Sequence, residues 1–402
     1  MRSIAVVGAS LAGLRAVEAL RHEGFDGRIT VIGAESRLPY DRPPLSKQVL
    51  AGEWDVDRIQ LRDADRYDEL DLDLRLGTRA DRLDLAGSAV GIDDGTAIPY
   101  DGLVIATGAS PRVLPGMPAL PGLFTLRTLD DCLALTAAVA QPGCRVVVVG
   151  AGFIGSEVAA TCHRRGAAVT VLEMLPVPLA RVLGEEMGKV CGQLHLDEGV
   201  DLRCGVGVAA VEGDGRVERV VLSDGQDVEA DVVVIGVGVQ PATAWLDDSG
   251  LTLRDGVLCD DRCFALGSDG RVVAAGDVAR WHNPLVGADI RVEHWTNAAE
   301  QGDHAARNLL AGPDEATPFA PVPFFWSDQY DVKIQYVGHS SPDDEIALVH
   351  GSPADRKFVV LYGRDGRLTA ALAFSRPRQL MAYRRLLAEG ASWDAALAHD
   401  AG

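Results

Sequence analysis

The 402-residue chain lacks two features that would each place it in a large class of proteins. No apolar run approaches the roughly 20 charge-free residues that a membrane-spanning helix needs, and Met1-Arg2-Ser3 leads into a strand-like run instead of a signal peptide. We therefore expect a cytoplasmic protein. An excess of basic residues is also missing, because the formal net charge is -20. This argues against nucleic acid or an anionic membrane surface as a partner.

Paired cysteines are the next absence. The seven cysteines are scattered, none belongs to a CxxC pair, and none precedes Cys132. The sequence therefore indicates neither a disulfide framework nor a zinc site. His195, His294 and His304 have no second ligand at a suitable spacing, so we expect no metal.

Two glycine-rich loops are the most informative feature that is present. Their sequences are Gly8-Ala-Ser10-Leu-Ala-Gly13 and Gly150-Ala-Gly152-Phe153-Ile154-Gly155. Each follows an apolar run, opens a helical pattern, and precedes an acidic residue, Glu35 or Glu173, at about 20 residues' distance. A pyrophosphate approaches a helix N-terminus only where side chains are absent, and the acid then accepts ribose hydroxyls. The sequence therefore predicts two dinucleotide sites.

The two halves repeat the same order of features. Each has a glycine loop, an acid, a turn-rich β segment and a hydrophobic strand that ends in glycine, at Thr107-Gly108 and at Gly236-Val-Gly238. This indicates an internal duplication within an α/β fold of two Rossmann-like domains. The composition shifts after residue 318 to aromatic and β-branched residues, with strand-like runs at 324–330, 333–337, 358–362 and 368–374 and a final helical pattern at 380–387, which predict a small α+β C-terminal domain. We expect domain segments at 1–112, 113–240, 241–318 and 319–402, the third completing the first domain.

With these loops and motifs, the chain resembles the oxygenase-coupled NADH:ferredoxin reductases. This flavoprotein family includes putidaredoxin, rhodocoxin and biphenyl-dioxygenase ferredoxin reductases. The match covers essentially the whole chain, and its narrowest markers are Arg42-Pro-Pro-Leu-Ser-Lys47 together with Trp326-Ser-Asp-Gln329. Broader markers are Ala106-Thr-Gly108, Leu126-Arg-Thr-Leu129, Gly152 to Glu157, Ala275-Gly-Asp277 and Arg291 to Trp295. The resemblance implies a glutathione-reductase-like architecture, with FAD on the N-terminal unit, NADH on the middle one, and the C-terminal domain covering the flavin.

The resemblance also implies site residues. For FAD it implies Gly8, Ser10, Ala12, Gly13 and Glu35 on the ADP half, Ala80 near the adenine, Arg42 and Lys47 near the pyrophosphate and isoalloxazine, Thr107, Gly108, Arg127 and Asp277 along the cofactor, and Trp295 beside the ring. For NADH it implies Gly150, Gly152, Phe153, Ile154, Gly155, Glu157, Glu173, Gly236 and Gly238. The implied catalytic residues are Lys47, Glu157, Glu293 and Trp326. Two departures from the family pattern are Ser10 in place of a glycine and Phe324 in place of a tryptophan.

Flavin suits this chemistry because it accepts a hydride as a two-electron unit and releases electrons singly. We expect the Lys47 ammonium to stabilise negative charge on the reduced ring, with Glu157 holding that ammonium charged. Glu173 is expected to face the 2′ position, where NADP carries a phosphate. Like charges near 4 Å repel by about 1 kcal/mol in water and about 4 kcal/mol at an effective dielectric of 20, which corresponds to roughly tenfold to a thousandfold preference for NADH.

The electron acceptor follows from the missing cysteine. Related disulfide and peroxide reductases use a thiolate near the flavin, and no cysteine is available early in this chain. We therefore expect the electrons to leave to an iron–sulfur protein that docks near the flavin edge. The resemblance implies that this partner is an acidic [2Fe-2S] ferredoxin that serves a cytochrome P450 or a ring-hydroxylating dioxygenase. Such a partner needs a basic patch, for which the candidates are Lys333, Arg376, Arg378, Arg384 and Arg385. The alternatives are a rubredoxin reductase and an NADH-sensing flavoprotein that acts through partner binding.

Overall fold

The computed structural model describes residues 1–400, which form two compact units. Unit 1 consists of Met1–Asp41, Ile59–Ser110 and Gln240–Phe324. Unit 2 consists of Arg42–Arg58, Pro111–Val239 and the chain from Phe325 onwards. None of the helices in this described part of the chain combines the length and the apolar character needed to cross a bilayer.

Helices occur in both units. They are α1 (Leu11–His22), α2 (Gln48–Ala51), α3 (Ala64–Glu69), α4 (Leu129–Ala138), α5 (Phe153–Arg164), α6 (Ala180–Asp197), α7 (Trp295–Ala311), α8 (Pro377–Ala388) and α9 (Trp393–Leu397).

Strands are numbered along the chain in the same way. The first half contains β1 (Ser3–Val7), β2 (Arg28–Gly33), β3 (Leu72–Leu76), β4 (Ala80–Asp84), β5 (Ala89–Ile92), β6 (Ala97–Pro99), β7 (Gly102–Ile105), β8 (Ala109–Pro111), β9 (Leu123–Phe124), β10 (Arg145–Val149), β11 (Ala168–Glu173), β12 (Asp201–Cys204) and β13 (Val208–Glu212). The second half contains β14 (Arg219–Leu222), β15 (Asp227–Glu229), β16 (Val232–Ile235), β17 (Val239–Pro241), β18 (Val257–Cys259), β19 (Val272–Ala274), β20 (Ala279–Asn283), β21 (Ala288–Arg291), β22 (Phe324–Gln329), β23 (Val332–Gly338), β24 (Glu345–Ser352), β25 (Lys357–Arg364) and β26 (Arg367–Phe374).

Unit 1 is built on a five-stranded sheet in the order β19-β7-β1-β2-β3. All four pairings in it are parallel, and β1 lies between β2 and β7, with Val6 opposite both Val31 and Val104. These central strands are almost continuously apolar because they are buried on both faces, as expected for a parallel sheet covered by helices. Helices α1 and α7 pack against each other beside it.

Unit 2 repeats this plan. Its parallel sheet has the order β12-β11-β10-β16-β9, so β10, β11, β12 and β16 occupy the places that β1, β2, β3 and β7 have in unit 1. A three-stranded antiparallel sheet accompanies each parallel sheet, β4-β5-β6 in one unit and β13-β14-β15 in the other. This is the structural form of the internal duplication, and the predicted fold class of two Rossmann-like domains is confirmed.

The C-terminal part is an antiparallel sheet in the order β22-β23-β26-β25-β24, with α8 packed on β23 and β26. Its core contains the stacked rings of Phe358 and Phe374, whose centroids are 4.4 Å apart. Strands β22, β23, β25 and β26 and helix α8 match the predicted runs to within a few residues. Strand β24 and helix α9 were not predicted from the sequence. Strand β24 is an edge strand without regular alternation, and α9 is only five residues long.

Candidate functional site

The first glycine loop lies between β1 and α1. Gly8 has φ of +124°, and a Cβ there would be 2.0 Å from the Ala106 carbonyl oxygen. A Cβ on Gly13 would be 1.9 Å from the Gly8 carbonyl oxygen. Both positions therefore require glycine, while Ser10 occupies the extended position directly before the helix. The loop thus brings the N-terminus of α1 close to the ends of β1 and β7, as a phosphate site requires.

The predicted acid of this half lies at the carboxyl end of β2. Glu35 receives a hydrogen bond on its carboxylate from the hydroxyl of the buried Tyr40. Ala12, in the first turn of α1, is packed so tightly that a Cβ on Gly302 of α7 would be 2.3 Å from its carbonyl oxygen. A Cβ on Gly276 would be 3.1 Å from the Ala12 Cβ, so the turn that carries Asp277 lies against the same helix end.

The other unit 1 residues predicted from the resemblance lie at strand and helix ends. Thr107 Oγ1 donates to the Ala242 carbonyl at 2.9 Å, and the Gly108 carbonyl accepts the Ala242 N–H at 3.0 Å. Ala80 begins β4. Arg291 donates through Nη1 to both the Asp277 carbonyl (3.1 Å) and the Glu293 carboxylate (2.6 Å).

Trp295 begins α7 and donates its indole N–H to Asp41 Oδ1 at 2.7 Å. Asp41 was not among the predicted site residues. Its only signal in the sequence is its place directly before the Arg-Pro-Pro-Leu-Ser-Lys motif.

The second glycine loop lies between β10 and α5 and shows the clearest fit to a dinucleotide. A Cβ on Gly155 would be 2.0 Å from the Gly150 carbonyl oxygen, and one on Gly150 would be 2.5 Å from that of Gly236. A Cβ on Gly152, by contrast, would meet no atom within 4 Å. Packing therefore explains the first and third glycines, whereas the second leaves open space over the helix N-terminus where a pyrophosphate can reach the backbone.

Glu173 ends β11 beside this loop. Its Oε2 accepts the Ala151 N–H at 2.8 Å, and its Oε1 accepts the Leu175 N–H at 2.8 Å. The predicted acid and the predicted phosphate loop are therefore joined directly by a hydrogen bond. Gly238, in the second predicted glycine pair, has φ of +100°.

Phe153 and Ile154 begin α5 and face different surroundings. The ring of Phe153 packs on that of Phe325, with centroids 4.5 Å apart. Ile154 is 49% exposed, although it is a large aliphatic residue. An exposed aliphatic side chain next to the open space over Gly152 suits contact with an aromatic ligand ring.

A buried ion pair joins Lys47 to Glu157. Lys47 follows the 3₁₀ turn Pro43–Ser46, and Glu157 lies on α5, with 3.0 Å between Lys47 Nζ and Glu157 Oε1. This is the pairing that the resemblance implied. Burial of both side chains makes the attraction stronger than at a surface and makes loss of either partner costly.

Three further groups donate to the Glu157 carboxylate. Ser46 Oγ donates to Oε2 at 2.5 Å, Ser327 Oγ to Oε1 at 2.8 Å, and the Asp328 N–H to Oε1 at 3.2 Å. None of these three residues was among the predicted site residues. Their signal in the sequence is that all three lie inside the two narrowest family motifs, at 42–47 and 326–329.

Arg42 and Arg127 are brought together in unit 2, since Arg42 Nη1 donates to the Arg127 carbonyl at 2.5 Å. Arg127 itself precedes α4, whose first turn is held by a capping box between Thr128 and Asp131. Trp326 lies on β22, on the half-buried face that alternates with a buried one.

The cysteines offer no reactive thiolate. All seven fall among the described residues, and six of them are buried, the exception being the half-buried Cys204. Burial raises the pKa of Cys132 to about 11 and the pKa values of Cys162 and Cys191 to about 12. Because the nucleophile is the thiolate, none of these three is prepared for thiol–disulfide chemistry at neutral pH.

Two residues of the candidate basic patch lie at one end of the C-terminal sheet. Lys333 on β23 lies next to Arg376, since the Ser375 N–H donates to the Lys333 carbonyl at 2.8 Å. Arg378 and Arg385 are exposed on α8, whereas Arg384 is half-buried.

A duplicated fold with two phosphate loops, each followed by an acid, together with a buried lysine–carboxylate pair, defines a pyridine-nucleotide-dependent flavoprotein oxidoreductase. The chain belongs to the pyridine nucleotide-disulphide oxidoreductase family, whose model matches residues 2–302. Residues 324–402 match a reductase C-terminal model. The protein is therefore an oxidoreductase with FAD and NAD(H) as cofactors, and the glycine cradles and acids described above fit both.

Individual relatives are similar over nearly their whole length. The ferredoxin–NAD(+) reductase component of an anthranilate 1,2-dioxygenase system from Burkholderia cepacia is 41% identical, covering 97% of this chain and 95% of its own. Rhodocoxin reductase from Rhodococcus erythropolis is 36% identical, covering 96% and 89%. Among solved structures, the covalent putidaredoxin reductase–putidaredoxin complex superimposes with a TM-score of 0.92 at 31% identity, covering 97% of this chain and 93% of the other.

Proposed function

We propose that this protein takes a hydride from NADH onto FAD and passes the electrons singly to an acidic [2Fe-2S] ferredoxin that serves a cytochrome P450 or a ring-hydroxylating oxygenase. The observation that carries the proposal is the buried Lys47–Glu157 pair in a chain whose cysteines are unsuited to receive electrons. The relatives named as ferredoxin reductases of oxygenase systems support the acceptor. A cytoplasmic location agrees with the use of NADH.

In this proposal the second glycine loop binds the coenzyme. The backbone at Gly152 and the N-terminus of α5 receive the pyrophosphate, because no side chain stands in front of them. Glu173 accepts the ribose hydroxyls and repels a 2′-phosphate, which favours NADH over NADPH. Ile154, exposed in the first turn of α5, provides an apolar contact for the coenzyme.

Lys47 and Glu157 set the electrostatics of the redox centre. FAD, when bound, supplies an acceptor for two electrons at once and a donor of single electrons. The Lys47 ammonium favours negative charge placed beside it, and the ion pair with Glu157 holds that ammonium in position. Ser46, Ser327 and the Asp328 N–H fix the carboxylate, so Lys47 needs little rearrangement during the reaction.

Other chain residues hold the FAD site and the exit. In unit 1, Glu35, Ala12 and the Gly8–Gly13 loop receive the ADP half, Asp277 and Thr107 lie along the cofactor, and Trp295 and Glu293 are on the side of its ring. Lys333, Arg376, Arg378 and Arg385 form the surface on which an acidic ferredoxin docks.

Anaerobic stopped-flow mixing tests the proposal. The FAD-loaded protein is first reduced with NADH and is then mixed with a [2Fe-2S] ferredoxin or a rubredoxin, while flavin and iron–sulfur absorbance are followed. Rapid reoxidation by the ferredoxin is the expected result. Rapid reoxidation by rubredoxin alone would show that the acceptor is a rubredoxin and not a ferredoxin. A long-lived reduced state that no iron–sulfur protein shortens would contradict the reductase and favour an NADH sensor.

A further inference from the structure

Asp328 lies between two ammonium groups. Its Oδ2 is 4.0 Å from Lys47 Nζ, and its Oδ1 is 3.2 Å from Lys333 Nζ. The chain contains only four lysines, at 47, 189, 333 and 357. Half of the lysines of an arginine-rich protein therefore meet at one carboxylate.

The charges form a row that leads from the interior to the surface. The exposed fraction of the side chain rises from 3% for Glu157 to 11% for Lys47, 32% for Asp328 and 50% for Lys333. The signs alternate along this row. A change at its exposed end therefore alters the interactions of each inner member in turn, with less solvent screening at every step inwards.

The β22–β23 hairpin creates this arrangement. Asp328 and Lys333 are each two residues from the turn at Tyr330 and Asp331, which places them opposite each other as a cross-strand pair. The alternation of β22 puts Asp328 on the same face as Trp326. Because the Asp328 N–H also donates to Glu157, the backbone at Asp328 is anchored on the buried pair itself.

We propose that Asp328 is a positioning residue that couples the surface ammonium of Lys333 to the buried ammonium of Lys47. When a partner carboxylate binds Lys333, the Asp328 carboxylate is released from that ion pair and interacts more strongly with Lys47. Docking of an acidic protein thereby changes the electrostatic setting of the redox centre. The inference rests on the proposed function in one respect, namely that the docking partner is acidic.

Side-chain NMR of the FAD-loaded protein labelled with ¹³C-lysine tests this coupling. Variants K189R, K333R and K357R assign three of the four signals, and the remaining one belongs to Lys47. The expected result is that Lys333→Met shifts the Lys47 signal, and that this shift falls by at least about half when the same substitution is made in an Asp328→Asn background. Lys189, which pairs with Glu185 on α6, is the internal reference.

Asp331→Asn is the matched control, because Asp331 is a carboxylate of the same hairpin that pairs with Arg356 instead of a lysine. In the D331N background, Lys333→Met is expected to shift the Lys47 signal as much as in the original protein. Asp328→Ser provides a second background if D328N loses its FAD. An unmoved Lys47 signal in K333M, or equal shifts with and without the Asp328 carboxylate, would overturn the coupling.

These measurements separate the coupling from the proposed function. They use neither NADH nor ferredoxin, so a wrong electron acceptor leaves them unaffected. Conversely, efficient ferredoxin reduction together with an unmoved Lys47 signal would remove the role of Asp328 and leave the reductase proposal intact.

Discussion

Lys47 and Glu157 form an ion pair of 3.0 Å in which neither side chain is more than 11% exposed. Removing one member of such a pair leaves the other buried without its counter-charge. We expect Lys47→Met and Glu157→Gln each to lower the free energy of unfolding by about 3 kcal/mol. Urea denaturation of the FAD-loaded protein measures the loss.

The double variant distinguishes a true pair from two separate sites. K47M/E157Q is expected to cost less than the sum of the single variants, because both charges are then absent. Additive losses would show that the two groups are stabilised independently. The Lys189–Glu185 pair on α6, whose side chains are 65% and 67% exposed, serves as the control, and removing it should change stability by less than about 1 kcal/mol.

The second glycine loop allows two neighbouring alanine substitutions to be compared. Gly155→Ala would place a Cβ 2.0 Å from the Gly150 carbonyl oxygen, so we expect a loss of stability of about 3 kcal/mol or more. Gly152→Ala meets no atom within 4 Å and should leave stability within about 0.5 kcal/mol. It should nevertheless weaken NADH binding by about tenfold, since the new methyl group occupies the approach to the pyrophosphate.

Calorimetric titration with NAD(+), which has the same pyrophosphate but cannot reduce the flavin, and urea denaturation check both variants. A G152A protein that binds NAD(+) normally would show that the coenzyme pyrophosphate does not approach this loop.

Coenzyme choice depends on Glu173, which also holds the loop through the Ala151 N–H. The original protein is expected to prefer NADH by roughly tenfold to a thousandfold in kcat/KM. Glu173→Gln removes the charge but keeps an acceptor, so it should raise kcat/KM for NADPH by about tenfold. Glu173→Ala should lower activity with both coenzymes, because the loop loses its anchor. A preference of the unmodified protein for NADPH would contradict this assignment.

These cases show how far the sequence alone reaches. The phosphate loops and their acids follow from spacing along one stretch of chain, so pattern alone located them. The environment of Glu157 could not be predicted from such spacing, because Ser46 is 111 residues away and Ser327 is 170 residues away along the chain. No local periodicity reports such a convergence. The motif resemblance supplied the Lys47–Glu157 pair, but it gave no roles to Ser46, Ser327 or Asp328.

The missed elements have a similar explanation. Strand β24 lies at the edge of its sheet, and its residues are mostly half-buried, so neither face has a clear apolar pattern. Helix α9 depends on a cap, the Ala395 N–H donating to Ser392 Oγ, more than on an apolar stripe. Sequence patterns report the burial of apolar side chains. Elements that bury few apolar side chains are therefore the ones that such patterns fail to predict.

Acid sensitivity is expected at His195, which is fully buried on α6 with its Nδ1 2.7 Å from the Tyr330 hydroxyl. Burial lowers the pKa of His195 from 6.5 to about 4. Between about pH 4 and pH 6.5, the imidazole is therefore neutral in the folded protein but protonated in the unfolded chain. Its contribution is complete above pH 6.5 and is lost as the pH falls from 6.5 towards 4.

Between neutral pH and about pH 4.5, this effect should cost about 2 to 3 kcal/mol. The His195→Gln variant has no titrating ring at this position. Between neutral pH and about pH 4.5, its free energy of unfolding should therefore fall by about 2 to 3 kcal/mol less than that of the original protein. Urea denaturation at a series of pH values measures both slopes. Parallel slopes for the two proteins would show that the imidazole is protonated in the folded state as readily as in the unfolded chain.

Ferredoxin docking is expected to depend on the basic residues near α8. Reversing the exposed Arg378 and Arg385 to glutamate should raise KM for an acidic ferredoxin by about tenfold, because electrostatic complementarity mainly governs encounter and orientation. The effect should shrink as salt rises, since the Debye length falls from about 10 Å at 0.1 M to about 3 Å at 1 M ionic strength. R216E/R219E, a double reversal of exposed arginines in the β13–β14 hairpin, changes the net charge by the same amount and is the control. Ferredoxin-dependent turnover that responds equally to R216E/R219E and R378E/R385E would show that overall charge, and not this surface, attracts the partner.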